Sequence, residues 1–146
     1  MPRNPYLVIG GWLSLAASAL HIACIFGGPD WYRFFGAGEE LATMAEQGSL
    51  APAAITFVIA VVLAIWGAYA FAGAGLIRRL PLMRTALVAI TGIYLVRGLM
   101  IVPLQFQPRA TAFDHWSSLI VLGYGLVYLI GTRRAWPALL RKEVVA

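Results

Sequence analysis

Apolar positions along this chain fall into four long unbroken runs, over about residues 6–26, 51–73, 85–102 and 116–132. Each run is 17 to 23 residues long. A helix needs ~20 residues to cross a ~30 Å hydrocarbon layer. Inside lipid the backbone must satisfy its own N–H and C=O groups, which leaves helices or closed barrels. Barrel strands alternate apolar and polar residues at every second position, and these runs do not. The pattern predicts an all-α membrane protein, a four-transmembrane-helix bundle, with residues 1–146 as a single integral-membrane domain.

The segment between the first two runs has a finer pattern. Gly27, Gly28 and Pro29 form a helix stop. Trp31, Tyr32, Phe34 and Phe35 follow at the depth where aromatic rings with polar edges collect at a membrane interface. Leu41, Met44 and Ala45 then recur at i, i+3 and i+4, a helical period. A short interfacial helix over residues 39–47, closed by Gly48, is expected in this outer loop.

Composition supports the membrane reading. Hydrophobic residues make up 61% of the chain and charged residues 12%, against about 25% charged in soluble domains. The net charge of +5 is not spread evenly. Arg3, Arg78, Arg79, Arg84, Arg133, Arg134, Arg141 and Lys142 flank the runs on one side. The opposite loops hold Arg33 and Arg109 together with Asp30, Glu39, Glu40, Glu46 and Asp114. Basic residues favour the cytoplasmic side. The expected location is therefore the cell inner (cytoplasmic) membrane, multi-pass, with both termini cytoplasmic and residues 27–50 and 103–114 facing outward. The positive charge belongs to the leaflet surface, so no nucleic-acid partner is expected. Cys24 is the single cysteine, which rules out an intrachain disulfide and a CxxC motif. Residues 1–19 have a basic start, an apolar run and an Ala17-Ser18-Ala19 site like those of signal peptides. The apolar run continues to Phe26, however, and favours a retained span. A lipoprotein reading of Cys24 is opposed by His21, which sits where an aliphatic residue would be expected.

Polar residues within the runs are few, and they gather near the outer side. Gly10, Ser14, Ala17 and His21 share one face of the first helix, and small residues let membrane helices approach closely. Arg97 is the one formal charge well inside a run. It lies six residues before Pro103, as His21 lies about six from the end of its span, so both sit ~9 Å from the outer boundary. Tyr94 is one turn before Arg97, and Thr91 and Gly98 share its face. An arginine at the centre of a membrane helix costs roughly 2.5–3.5 kcal/mol on insertion scales, so Arg97 must snorkel or find a partner. Asp30, Glu39, Glu40, Glu46 and Asp114 are the acids on its side. The expected ligand-binding set is His21, Glu39, Glu40, Tyr94, Arg97, Asp114 and His115, with Thr56, Ser117 and Ser118 at the same level.

Three functions fit this arrangement. The leading one is an outward-facing polar pocket that binds an amphiphilic or lipid-like ligand. The second is an integral-membrane enzyme acting on a lipid or quinone through His and Glu acid–base groups, for which no catalytic residue can be assigned. The third is a non-catalytic accessory subunit in a homo-oligomer or membrane complex, using the small-residue stretch 67–75. In the plainer reading, Arg97 with Asp114 or Glu40 is a structural ion pair and the histidines are hydrogen-bonded packing residues. A zinc site would draw His21, His115, Cys24 and an acid from separate segments without HExxH or HxxxH spacing. Haem would need two histidines that lie at different depths. No metal and no cofactor are expected, and membrane lipids are the expected partners. The plan resembles, in architecture alone, that of the EXPERA sterol-ligand proteins and of DoxX-like proteins.

Overall fold

The computed structural model describes residues 4–108 and 110–140; Arg3, Arg109, Arg141 and Lys142 lie outside the described residues. The described chain is helical: α1 (Pro5–Phe34), α2 (Glu39–Glu46), α3 (Ala51–Gly73), α4 (Met83–Leu99), α5 (Ile101–Leu104) and α6 (Ala112–Leu140). Four helices are long and apolar enough to cross a membrane: α1, α3, α4 continued by α5, and α6. Their starts follow from local chemistry. Asn4 accepts a hydrogen bond from the Leu7 N–H, with proline next at the first helical position, where a missing N–H is harmless. The Asn4 amide also donates to Gly131 O at 2.7 Å, tying the start of α1 to α6. Thr111 and Asp114 open α6 with a reciprocal box. The Asp114 carboxylate accepts from the Thr111 N–H at 2.7 Å, and the Thr111 hydroxyl accepts from the Asp114 N–H at 3.2 Å.

The first span breaks at the expected stop, Gly27–Pro29, but the chain does not continue as a loop. Gly28 does leave helical geometry, with φ 67° and ψ −151°, a conformation that glycine adopts without a Cβ penalty. Pro29 then occupies the first position of a new helical segment, and α1 resumes to Phe34. Trp31, Tyr32 and Phe34 therefore sit on a helix, with Phe35 as its C-cap, and not in an open loop. Trp31 and Phe34 stay exposed, but Tyr32 is buried with Cys24 and Ala42, with Phe35 and Ala45 packed alongside. This small core fastens α2 to the end of α1. The α6 helix exceeds the apolar run at both ends, because capping at 111–114 and continued packing through Ala135 and Leu139 extend it beyond the part that hydropathy marks.

Packing is closest where side chains are smallest. α1 packs mainly on α3 and α4 mainly on α6, with α1 against α6 joining the two pairs. A Cβ on Gly67 would lie 3.1 Å from Gly11 O, so α1 and α3 are nearly in backbone contact there. The Ser18 hydroxyl donates to Ala60 O at 2.7 Å across the same interface. The small residues of 67–75 serve this interior: Gly67, Ala70, Ala72 and Ala74 are buried. Leu7, Leu87 and Tyr128 are fully enclosed at the centre.

At the α2 end, Arg33 organises the acids. Its Nε donates to Glu39 Oε2 at 2.9 Å and its Nη2 to Glu39 Oε1 at 2.7 Å, a bidentate fork. Nη1 donates to Glu46 Oε1 at 2.7 Å, and Asp30 lies 3.7 Å away. The fork holds the Glu39 carboxyl below the usual carboxylate range. A group whose folded pKa is depressed adds stability above its unfolded pKa, and that stability is lost as pH falls through the folded value. Wild-type protein is therefore expected to lose thermal stability on acidification through and below the ordinary carboxylate range. Glu39→Gln is expected to start lower and give a flatter curve. Unfolding midpoints measured across pH in one detergent check this, and parallel curves would show that the fork carries no pH dependence.

Candidate functional site

The site is built in levels along the bundle axis. Its floor is a chain of buried hydroxyls. Ser14 on α1 lies 2.9 Å from the Tyr94 hydroxyl on α4 and 2.7 Å from the Tyr128 hydroxyl on α6. Tyr128 also reaches Trp66 O on α3 at 3.3 Å. A carbonyl can only accept, so Tyr128 donates to Trp66, Ser14 donates to Tyr128 and Tyr94 donates to Ser14. Each of the three protons has an acceptor, and the chain runs one way. The Trp66, Tyr124 and Tyr128 rings pack around Tyr94, with centroids 5.0, 5.6 and 5.2 Å from it. This satisfied, ring-packed layer closes the middle of the bundle.

Toward the α2 end burial on the same helices becomes mixed. On α4, positions 87, 90, 94 and 98 are buried, and Arg97 beside them is exposed. On α1, positions 7, 10 and 14 are buried, whereas Ala17 and His21 are half-buried. Arg97 Nη1 donates to the buried Ser118 hydroxyl at 2.9 Å. No carboxylate among the described residues lies within ion-pair distance of Arg97. His21 Nδ1 bonds to Ala17 O at 2.7 Å. The carbonyl accepts, so Nδ1 carries a proton, and Nε2 has no partner among the described residues. His115 does the same, with Nδ1 donating to Thr111 O at 2.9 Å.

The predicted residues are thus divided. Tyr94 belongs to the buried hydroxyl layer, while half-buried His21 and exposed Arg97 lie just beyond it. Asp114 and His115 are at the start of α6, one turn or less before Ser118. Asp114 spends its carboxylate on the Thr111 box. Glu39 belongs to the Arg33 fork. Glu40 is exposed on α2 with no hydrogen bond or ion pair among the described residues. A cavity of about 320 Å³ lies between Arg33, Gly36, Gly38, Glu39, Thr111 and Asp114, at the rim. Thr56, expected at this level, is buried and bonds back to Pro52 O at 2.8 Å. No group of three or more His, Cys, Asp or Glu side chains is arranged to hold a metal among the described residues.

Sequence reasoning missed three elements. Arg33 was available as the cation nearest Asp30, Glu39 and Glu46 in the chain, a signal strong enough to assign those acids to it. Ser118 as the Arg97 partner, and the Ser14–Tyr94–Tyr128 chain, depend on how far the helices slide past one another, which hydropathy does not encode. Comparison with protein-family models, with curated proteins and with solved structures finds no match to this chain.

Proposed function

We propose that the protein binds an amphiphile with an anionic or hydrogen-bonding head group in the α2-end half of the bundle. In this reading it lies in the inner membrane with both termini cytoplasmic, and the α2 end faces outward. The head group bonds to Arg97, whose remaining guanidinium donors are unused among the described residues, and to His21 Nε2, with Asp114 and His115 near the entrance. Glu40 on α2 reaches the ligand only if α2 folds further over the opening. The tail lies against the apolar helix surfaces. One observation supports the reading: beyond the buried Ser14–Tyr94 layer, Arg97 is exposed and His21 is half-buried, while Gly98 and Cys24 beside them stay buried. An intramembrane cation without a carboxylate partner is a functional candidate in its own right. The acid–base reading has less support, because the His21 ring bonds to Ala17 O and to no acid among the described residues.

Native mass spectrometry of detergent-extracted protein tests the proposal. Wild type is expected to carry one small amphiphile, and Arg97→Ala to lose it. Charge-assisted hydrogen bonds are worth ~1.5–3 kcal/mol, which corresponds to about ten- to hundredfold weaker binding. Identical ligand-free spectra for both proteins would leave Arg97 as a purely structural residue.

A further inference from the structure

The half of the bundle nearer the chain termini carries a second concavity, whose lining includes neither His21 nor Arg97. It is an open groove of about 520 Å³ between α4 and α6. Val88, Gly92 and Leu95 line it from α4, and Leu129, Arg133 and Trp136 from α6. From Val88 to Leu95 it follows ~10 Å of helix, a length that one acyl chain can track. Gly92 keeps it open, since a Cβ at this position would meet nothing within 4 Å.

The lining polar groups are already used. The Thr91 hydroxyl donates to Leu87 O at 2.6 Å, and the Thr132 hydroxyl lies 3.4 Å from Thr91 Oγ1. Because Thr91 has spent its proton on the carbonyl, Thr132 is the donor of that second contact. The floor therefore offers no unspent donor and presents apolar surface. The mouth is different. Arg134 stacks over the Tyr6 ring at 4.4 Å, and Arg79 donates to Ala138 O at 2.6 Å. Arg133 has no hydrogen bond, ion pair or ring contact among the described residues, and the Trp136 indole N–H has no acceptor among them. Arg84, one turn before Val88 on the same helix, adds a second cation beyond the mouth. An apolar trough ending in a guanidinium and an indole N–H that have no partner among the described residues complements a molecule with an acyl chain and an anionic head.

We propose that the α4/α6 groove seats one acyl chain of an anionic phospholipid, with its phosphate on Arg133 and the Trp136 N–H. Tryptophan and arginine at this depth are the usual partners of a headgroup layer. The site is independent of the Arg97 pocket, and either can fail without the other.

The test is native mass spectrometry of the delipidated full chain, titrated with phosphatidylglycerol or phosphatidylcholine of identical acyl chains. Wild type is expected to retain one phosphatidylglycerol at concentrations where phosphatidylcholine is lost. Arg133→Gln is expected to weaken that retention about fivefold, the factor that one basic residue near a membrane surface contributes. Gly92→Leu places its side chain in the groove from a position where a Cβ has no neighbour within 4 Å, and is expected to abolish the preference while keeping the wild-type melting temperature. Arg97→Ala is expected to keep the lipid. Equal retention of the two lipids by wild type overturns the proposal, as does a preference unchanged in both groove variants. Loss of the lipid in Arg97→Ala would place it in the other site and also overturn it. Dissociation of a dimer by Gly92→Leu with lipid retention intact would assign the groove to a second copy of this chain instead.

Discussion

Gly98→Leu is expected to unfold the bundle at temperatures where the wild-type protein is intact, whereas Gly92→Ala, six residues away on the same helix, is expected to be neutral or stabilising. The contrast follows from what each Cβ would meet. At Gly98 it would run into the Leu122 backbone, including the amide nitrogen at 2.6 Å. Backbone cannot rotate aside as a side chain can, so α4 and α6 must separate along their whole contact. Overpacking in a core typically costs about 1–3 kcal/mol and occasionally more. Alanine at 98 belongs near the top of that range and leucine above it. Gly125 reinforces the point from the other helix, because its Cβ would lie 2.9 Å from Leu95 N. At Gly92 a Cβ meets nothing within 4 Å, and replacing glycine by alanine inside a helix can gain up to ~1 kcal/mol. Circular-dichroism melts in one detergent decide the matter. A Gly98→Leu protein that melts within a few degrees of wild type would mean that α4 and α6 do not approach as described.

The second large effect concerns the hydroxyl chain, and its direction ranks the variants. Tyr128→Ala removes a fully buried ring and two hydrogen bonds, and is expected to destabilise by about 3–5 kcal/mol. Ser14→Ala removes few atoms but takes away the acceptor that Tyr94 uses. A buried donor without an acceptor costs about 1–3 kcal/mol. Tyr94→Phe removes the first donor of the chain and strands no other proton, since Ser14 still donates to Tyr128 and Tyr128 to Trp66 O. Hydrogen bonds between membrane helices average only ~0.6 kcal/mol by double-mutant cycles, so Tyr94→Phe belongs at or below about 1 kcal/mol. The expected order of stability is Tyr94→Phe, then Ser14→Ala, then Tyr128→Ala. Equilibrium unfolding in mixed detergent measures it, and a Tyr94→Phe more damaging than Ser14→Ala would reverse the assigned direction.

The four spans were legible in the sequence because length and hydropathy alone determine whether a helix can cross lipid. The packed face of α1 was legible as well, since Gly10 and Ser14 recur at helical spacing and both are buried. So was the short helix before Gly48, whose φ of 78° ends it. The resumption of α1 beyond Gly28 was not. Glycine followed by proline is a stop signal in general, yet proline is equally a good first residue of a helix, and only the tertiary contact of Tyr32 with Cys24 and Ala42 selects the second outcome. The partner of Arg97 was hidden for a related reason. Five acids stood on its side, but Arg33 engages three of them and Thr111 engages Asp114. Which cation claims which carboxylate depends on local loop geometry, and charge counting treats them all alike.

The chain is in effect two hairpins placed side by side. The first is α1 and α3 with α2 at the bend, and the second is α4 and α6 with α5 at the bend. Each hairpin closes on itself through small residues, and nothing within either one fixes how deep it sits beside the other. The hydroxyl chain does, because it alternates between them: Tyr94 in the second, Ser14 in the first, Tyr128 in the second, Trp66 in the first. A slip of one helical turn, 5.4 Å, would break all three links together. The buried hydroxyls thus act as a depth gauge that admits one docking register, the same register that sets Arg97 of α4 beside Ser118 of α6.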